Sequence, residues 1–324
     1  MSELTGLTPE EHRRLLTDYV GADGTIEDIG ESHLSLFRPG GNTLLVEFDE
    51  MHAIRSREGG LPWGAGLARK RGYATLTIAA RGATWFRDSQ LHDHFDGLTD
   101  DGLFDDYDTV IFAGGGMAAY GAAAFSVAAP GAVVFLAQPY ATLDRDVTPW
   151  EDRFRTARRL SFGPRYGNAA QMIDAAARVY VVTDPTRPLD AMHASLFQGR
   201  HVTRLPAPHA GPDIWGQLQS LGILDRLVAG AEGRLSRLRF AQLWRARHSD
   251  PVWLNRVLRK LDGMDRPWLT AVWAGAMLRR EDSPMARRRL NAALSALADQ
   301  GRDAPAGLRP QPVERAERML LAGE

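Results

Sequence analysis

The feature that most constrains the fold is an apolar run, Thr109–Ala113, that opens directly into Gly114, Gly115 and Gly116. An alanine-rich stretch, Ala122–Val127, follows a few residues later. A buried strand, a tight turn and a helix in this order form the first part of a βαβ unit. The segment therefore predicts a parallel sheet with helices packed on it.

Other short apolar runs alternate with helical patterns up to about residue 220. They predict strands over 34–37, 43–48, 74–79, 109–113, 132–137, 179–182 and 201–205. The fold class is therefore α/β, with a mostly parallel sheet flanked by helices. We expect an N-terminal helix within 1–29, the sheet domain over 30–220 and an all-α region over 221–324, where Asp250 and Ser283 are predicted helix N-caps.

Composition excludes several kinds of chemistry. The chain has no cysteine, which removes thiolate nucleophiles, disulfides and iron–sulfur ligation, and fits a reducing compartment. Residues 1–20 lack the apolar core of a signal peptide, and the apolar stretch 117–138 is broken by Pro130 and Gly131. We therefore expect a soluble, cytoplasmic protein without a membrane span. Residues 221–324 carry 19 Arg and Lys against 12 Asp and Glu, a bias typical of solvated helix faces, so no nucleic-acid partner is predicted.

The glycine turn fits the G-x-S-x-G nucleophile elbow of α/β-hydrolases, except that the nucleophile position is Gly116. In such enzymes the next backbone N–H, here that of Met117, helps to hold the oxyanion. The loop after the strand 43–48 would supply the second amide. The predicted elbow and oxyanion-like residues are Gly114, Gly115, Gly116, Met117, Glu50 and Met51.

Two other interpretations of this turn stay open. The glycines can be present only because the backbone turns sharply. The spacing Gly114, Gly116, Ala119 also satisfies the dinucleotide fingerprint G-x-G-x-x-A, which would cradle a phosphate at the helix start. That fingerprint asks for a carboxylate after the next strand, where this chain has Gln138.

A histidine and an acid occupy the chain order of a hydrolase triad. His209 lies in the loop after the predicted strand 201–205, and Asp184 and Asp190 follow the strand 179–182. We favour Asp190 slightly as the acid, although it also resembles the N-cap of a helix over 191–197. Such a pair could orient a water as general base, or form a structural hydrogen bond.

An acidic segment precedes the strand 109–113 and contains His92, His94 and several aspartates. Its spacing fits no fixed metal-ligand pattern, so it predicts a solvated loop and no metal site. We predict no cofactor.

Several motifs resemble a group of α-proteobacterial proteins that often carry the name phosphoadenosine phosphosulfate reductase. The resemblance rests on Gly114–Tyr120, Asp184-Pro185 with Asp190 and His193, and Pro208-His209-x-Gly211. That reductase chemistry uses a catalytic cysteine, which this chain lacks. The same motifs are similar to esterases with a G-x-S-M-G-G-Y elbow, in which Met117 and Tyr120 match and Gly116 replaces the serine.

These observations predict a degenerate hydrolase-like protein that binds a small ligand or a protein partner. Trp85 and Tyr120 are expected in the pocket, together with Gly116, Met117, Glu50, Met51, Asp190 and His209. The first alternative is an enzyme, a hydrolase or acyltransferase acting on an acyl or carbohydrate ester through His209 and Asp190 or Asp184. The second alternative is a dinucleotide-binding protein.

Overall fold

A computed structural model describes residues 7–163 and 165–310 of the chain. Within these ranges eight strands form one sheet in the order β1-β2-β4-β3-β5-β6-β7-β8. β1 and β2 run antiparallel to their neighbours, and all other pairs are parallel. The strands are β1 (Thr25–Ile29), β2 (His33–Arg38), β3 (Thr43–Glu50), β4 (Ala74–Ala80), β5 (Thr109–Gly115), β6 (Val133–Ala137), β7 (Arg178–Thr183) and β8 (Val202–Pro206).

Helices connect the parallel strands and cover both faces of the sheet, as parallel strands require. The predicted α/β class with a helical C-terminal region is confirmed. The helices are α1 (Pro9–Val20), α2 (Met51–Ser56), α3 (Ala65–Arg71), α4 (Ser89–Asp100), α5 (Met117–Phe125), α6 (Ala169–Met172), α7 (Pro188–Leu196), α8 (Ile214–Ser220), α9 (Leu224–Glu232), α10 (Arg237–Trp244), α11 (Pro251–Gly263), α12 (Pro267–Leu278) and α13 (Pro284–Asp299).

The N-terminal segment holds a helix and also a strand that the sequence did not predict. α1 begins with a capping box, in which Thr8 accepts from the Glu11 amide and the Glu11 carboxylate accepts from the Thr8 amide. β1 then forms the edge of the sheet. Of its five residues only Ile29 is buried, so its sequence lacks the apolar alternation that marks a half-buried strand.

An aromatic core fills the sheet face that carries α4 and α5. Phe48 on β3 stacks on Phe95 and Phe125, with ring centroids 5.8 and 5.5 Å apart. α5 is buried along its whole length, and a Cβ at Gly121 would lie 2.5 Å from the Phe48 ring. This close approach packs the middle of α5 directly against β3.

The chain divides into two compact units, Met1–Trp244 and Arg245–Glu324. The sheet and the helices α1 to α10 belong to the first unit. The three helices that follow the last strand, α8, α9 and α10, are therefore part of the same unit as the sheet. In the second unit α11, α12 and α13 bury Leu258, Ala274 and Leu290. Among the described helices, none has both the length and the apolar character needed to cross a membrane.

Candidate functional site

The turn between β5 and α5 has the sharp geometry of an elbow. Gly116 has φ 60° and ψ −123°, a conformation that L side chains rarely adopt, and its amide donates to the Ala137 carbonyl at 2.9 Å. A Cβ built on Gly116 meets no atom within 4 Å. A Cβ on Gly114 would lie 2.4 Å from the Ala118 carbonyl oxygen. A side chain at position 116 would therefore project into open space, whereas position 114 admits only glycine.

The first turn of α5 presents backbone donors beside Gly116. The amides of Ala119 and Tyr120 donate to the Gly116 carbonyl at 3.1 and 3.3 Å. The amides of Met117 and Ala118 precede this ladder, where a helix has no intrahelical partner for them. Together with the helix dipole they favour an acceptor oxygen or an anion.

The segment that follows β8 reaches the other side of the elbow. A Cβ on Gly115 would lie 2.4 Å from the Cβ of Trp215, at the start of α8. The Trp215 ring packs edge-on against Trp63, with centroids 5.0 Å apart. Asp213 caps α8 by accepting from the Gly216 amide at 2.8 Å. The loop that holds His209 therefore ends next to the glycine turn.

Asp184 organises this histidine loop. Its buried carboxylate accepts from the backbone amides of His209 at 3.0 Å and Gly211 at 3.1 Å, and from the Thr186 hydroxyl at 2.8 Å. His209 itself has φ 61°, and its Nδ1 lies 3.5 Å from the Thr186 hydroxyl oxygen. These two hydrogen bonds from backbone amides to one buried carboxylate fix the backbone at His209.

Asp190 belongs to a different group of charges. It is 1% exposed, and its oxygens accept from Arg153 at 2.5 Å, from Arg187 at 2.6 Å and from Gln138 at 3.2 Å. Of the two predicted acids, Asp184 therefore has hydrogen bonds to the His209 loop. The Asp190 carboxylate, which the sequence favoured as the acid, instead contacts arginines from both sides of β7, Arg153 before the strand and Arg187 after it.

This cluster also contains a buried histidine–glutamate pair that the sequence did not single out. The fully buried His193 on α7 lies with its Nε2 3.0 Å from Glu151, while the Ala141 amide donates to its Nδ1 at 3.3 Å. The imidazole therefore carries its proton on Nε2. Burial lowers the pKa of His193. Burial raises the pKa of Glu151, but hydrogen bonds from Arg153 and His193 outweigh it, so this pKa lies below its usual value.

Glu50 and Met51 lie at the end of β3, but their surroundings differ from those expected of an oxyanion loop. The Glu50 amide donates to its neighbour Asp49 at 2.8 Å, and Asp49 pairs with both terminal nitrogens of Arg57. Met51 begins α2 and packs against the apolar cluster under α1 that includes Leu16. The Glu50 amide is thus engaged within its own turn.

The two predicted pocket aromatics lie in the core. Trp85 is buried with φ 52° and packs edge-on against Tyr140 and Phe154, with ring centroids 5.3 and 4.9 Å away. Tyr120 is fully buried, and its hydroxyl donates to the Tyr166 carbonyl at 2.7 Å. The two rings pack edge-on against each other, with centroids 6.0 Å apart, as part of the core. Apolar size alone could not distinguish such a core position from a position that lines a cleft.

Another buried carboxylate lies on β3, on the opposite face of the sheet from α5. Glu47 is 1% exposed and accepts from the Thr77 hydroxyl and the Gly64 amide, each at 2.7 Å. Burial is the main cause that raises the pKa of Glu47 to about 7. Sequence reasoning missed this carboxylate, because the pattern of β3 is that of a strand with apolar residues on both faces. In the ranges that the structure describes, no three His, Asp or Glu side chains form a group that could hold a metal ion.

The chain is similar to several solved structures at low sequence identity. No family model matches the sequence, and no curated protein matches it. The solved structures that resemble it include the capsule O-acetyltransferase of Neisseria meningitidis serogroup A, at 11% identity and a TM-score of 0.39, covering 64% of this chain and 99% of that one. S-formylglutathione hydrolase from Agrobacterium tumefaciens is 12% identical with a TM-score of 0.41, and the match covers 66% of this chain and 94% of that one. MPT51 of Mycobacterium tuberculosis is 13% identical with a TM-score of 0.40, and the match covers 65% of this chain and 99% of that one.

The eight-stranded sheet and its elbow make this chain α/β-hydrolase-like in fold. The reductase name receives no support from the sequence comparisons. Fold alone does not decide activity, which depends on the side chains placed at the site.

Proposed function

We propose that this chain is a non-catalytic binding protein that receives a small ligand at the Gly116 turn. The observation that carries the proposal is the geometry of Gly116 itself. The turn keeps the conformation that presents a nucleophile, with open space where that side chain would project, yet the residue is glycine. Without an attacking atom at this position, acyl transfer by the usual elbow chemistry has no first step.

The same turn offers backbone hydrogen-bond donors to a ligand. The amides of Met117 and Ala118 stand at the positive end of a buried helix, where the dipole is poorly screened by water. These donors suit a carboxylate or an ester carbonyl oxygen. The backbone of His209, fixed through Asp184, lies on the loop that leads to Trp215, and Trp215 contacts the turn at Gly115. The ligand class is therefore a small carboxylate or ester.

The first experiment tests for catalysis. The purified chain is treated with a fluorophosphonate probe and with p-nitrophenyl acetate and butyrate. We expect no covalent labelling and hydrolysis at the rate of buffer alone. His52→Ala, which removes a 77% exposed histidine, is the matched control for His209→Ala. Labelling or turnover that is lost in His209→Ala and kept in His52→Ala would contradict the proposal and establish an enzyme.

The second experiment tests binding at the turn. Saturation-transfer NMR with butyrate and ethyl acetate is compared between the wild type, Gly116→Ala and Gly116→Leu. Both variants impose the same backbone strain, but only the leucine fills the space beyond the Cβ. We expect the ligand signal to persist in Gly116→Ala and to disappear in Gly116→Leu. Equal signals in both variants would place the ligand elsewhere.

A further inference from the structure

A cavity of about 710 Å³ lies between α1, α2, β2 and the end of β4, apart from the glycine turn. This volume is within the range that holds small organic ligands. Leu16 and Leu34, both almost fully buried, and the side chain of Met51 form an apolar lining. An alkyl chain in contact with these side chains would be removed from water, which is favourable in proportion to its area.

The opening of this cavity is basic. Within the described chain its lining includes Arg13, Arg55 and Arg81, and no carboxylate. Arg13 and Arg81 share one carboxylate, that of Asp28, which lies beside the cavity. The Arg55 guanidinium donates to the uncharged Leu7 carbonyl at 2.7 Å. In the part of the chain that the structure describes, the ion pairs of these three arginines therefore involve a single carboxylate, that of Asp28, which contacts Arg13 and Arg81.

Two histidines complete the rim without changing this balance. His12 Nε2 lies 2.8 Å from the Gly60 carbonyl oxygen, so its ring is held as part of the wall. His52 is exposed and lies 3.5 Å from Glu50. The Glu50 carboxylate faces this histidine and is not part of the cavity lining. The net field at the opening stays positive, which attracts an anion.

We propose that this cavity binds a single-chain amphipathic anion, such as a medium-chain carboxylate, with its head group on Arg55 and its alkyl chain on Leu16, Leu34 and Met51. Arginine matches a carboxylate in a bidentate way, and the Nη2 bond to Leu7 leaves further N–H groups of the fork to donate. The proposal does not depend on the function proposed for the Gly116 turn, since no residue is shared between the two sites.

Titration calorimetry at low ionic strength tests it with octanoate, decanoate, octanol and octylamine. We expect decanoate to bind about fifteenfold more tightly than octanoate, because each buried methylene contributes about fourfold. Octanol and octylamine should bind at least tenfold more weakly than octanoate, because they lack the charge-assisted bonds to Arg55. Added salt should weaken octanoate binding.

Variants separate this site from non-specific uptake. Arg55→Gln should weaken octanoate binding at least tenfold. Arg14→Gln, on the exposed side of α1 and outside the cavity lining, is the matched control and should leave it unchanged. Ser56→Glu adds a negative charge at the exposed rim without removing a core contact, and should weaken binding even if Arg55→Gln folds poorly. Equal affinity for octanol and octanoate, equal effects of Arg14→Gln and Arg55→Gln, or no octanoate binding at millimolar concentration would each overturn the proposal.

Discussion

The geometry of the glycine turn predicts a definite order of stabilities for alanine substitutions. At Gly116 the added Cβ meets nothing within 4 Å, so Gly116→Ala costs only backbone strain, about 1–3 kcal/mol for a residue in a sparsely populated region. At Gly114 the Cβ would lie 2.4 Å from the Ala118 carbonyl oxygen, which is backbone and cannot rotate away. Gly114→Ala must therefore displace the start of α5, and we expect a cost above about 3 kcal/mol.

Thermal unfolding followed by circular dichroism measures this order. For a unit of this size each kcal/mol lowers the Tm by roughly 2–4 °C, so Gly116→Ala should lower it by roughly 2–12 °C. Gly131→Ala is the control, because Gly131 has φ 87° and open space around its Cβ but lies outside the turn. Its cost should resemble that of Gly116→Ala.

The outcome can refute the reasoning in two ways. If Gly114→Ala is no more destabilising than Gly131→Ala, the close approach of β5 and α5 at Ala118 is wrong. If Gly116→Ala unfolds the protein while Gly131→Ala does not, the space beyond Gly116 is not open. The interpretation of Gly116 as the nucleophile position of an elbow that lacks its nucleophile would then be wrong as well.

Three further predictions concern the buried charges. The pKa of Glu47 is raised to about 7, against 4.5 in the unfolded chain, so folding favours the protonated carboxyl. This contribution to stability is fully present below pH 4.5 and is lost as the pH rises through 7. The free energy of unfolding of the wild type minus that of Glu47→Gln, measured by denaturation, should therefore decline between these two pH values. Asp190→Asn should lower the free energy of unfolding in urea by about 3 kcal/mol, the low end for a broken buried ion pair because Arg187 is 36% exposed. Nitrogen-15 NMR at pH 7 should find His193 neutral with its proton on Nε2, because the Ala141 amide donates to Nδ1 and Nε2 donates to Glu151. A doubly protonated ring would contradict the hydrogen bond from Ala141.

What could be predicted from the sequence is local. The pattern Thr8-Pro9-Glu10-Glu11 contains the whole capping box of α1, and the predicted N-caps Asp250 and Ser283 cap α11 and α13 through the amides of Trp253 and Ala286. Each of these interactions spans three residues, so the pattern contains the whole interaction. The strand, turn and helix at β5 were predictable for the same reason.

What could not be predicted depends on distant parts of the chain. Asp190 and Arg153 are 37 residues apart, and His193 and Glu151 are 42 apart. Nothing in the stretch around Glu151 marks its partner, because the long loop after β6 has no periodic pattern. The choice between Asp184 and Asp190 likewise depends on which of them the loop after β8 reaches, and only the folded chain decides that.

The turn around Gly116 explains why a glycine can occupy this position without loss of the elbow. Its shape is fixed by neighbours, through the contact of Gly114 with Ala118, the packing of Trp215 on Gly115 and the bond from the Gly116 amide to Ala137. A nucleophile in this conformation would add strain, which enzymes tolerate because the exposed side chain performs chemistry. A protein that only binds has no such compensation, and glycine keeps the turn and its helix amides while removing the strain. The low strain of glycine at position 116 therefore supports the binding function that we propose for this turn.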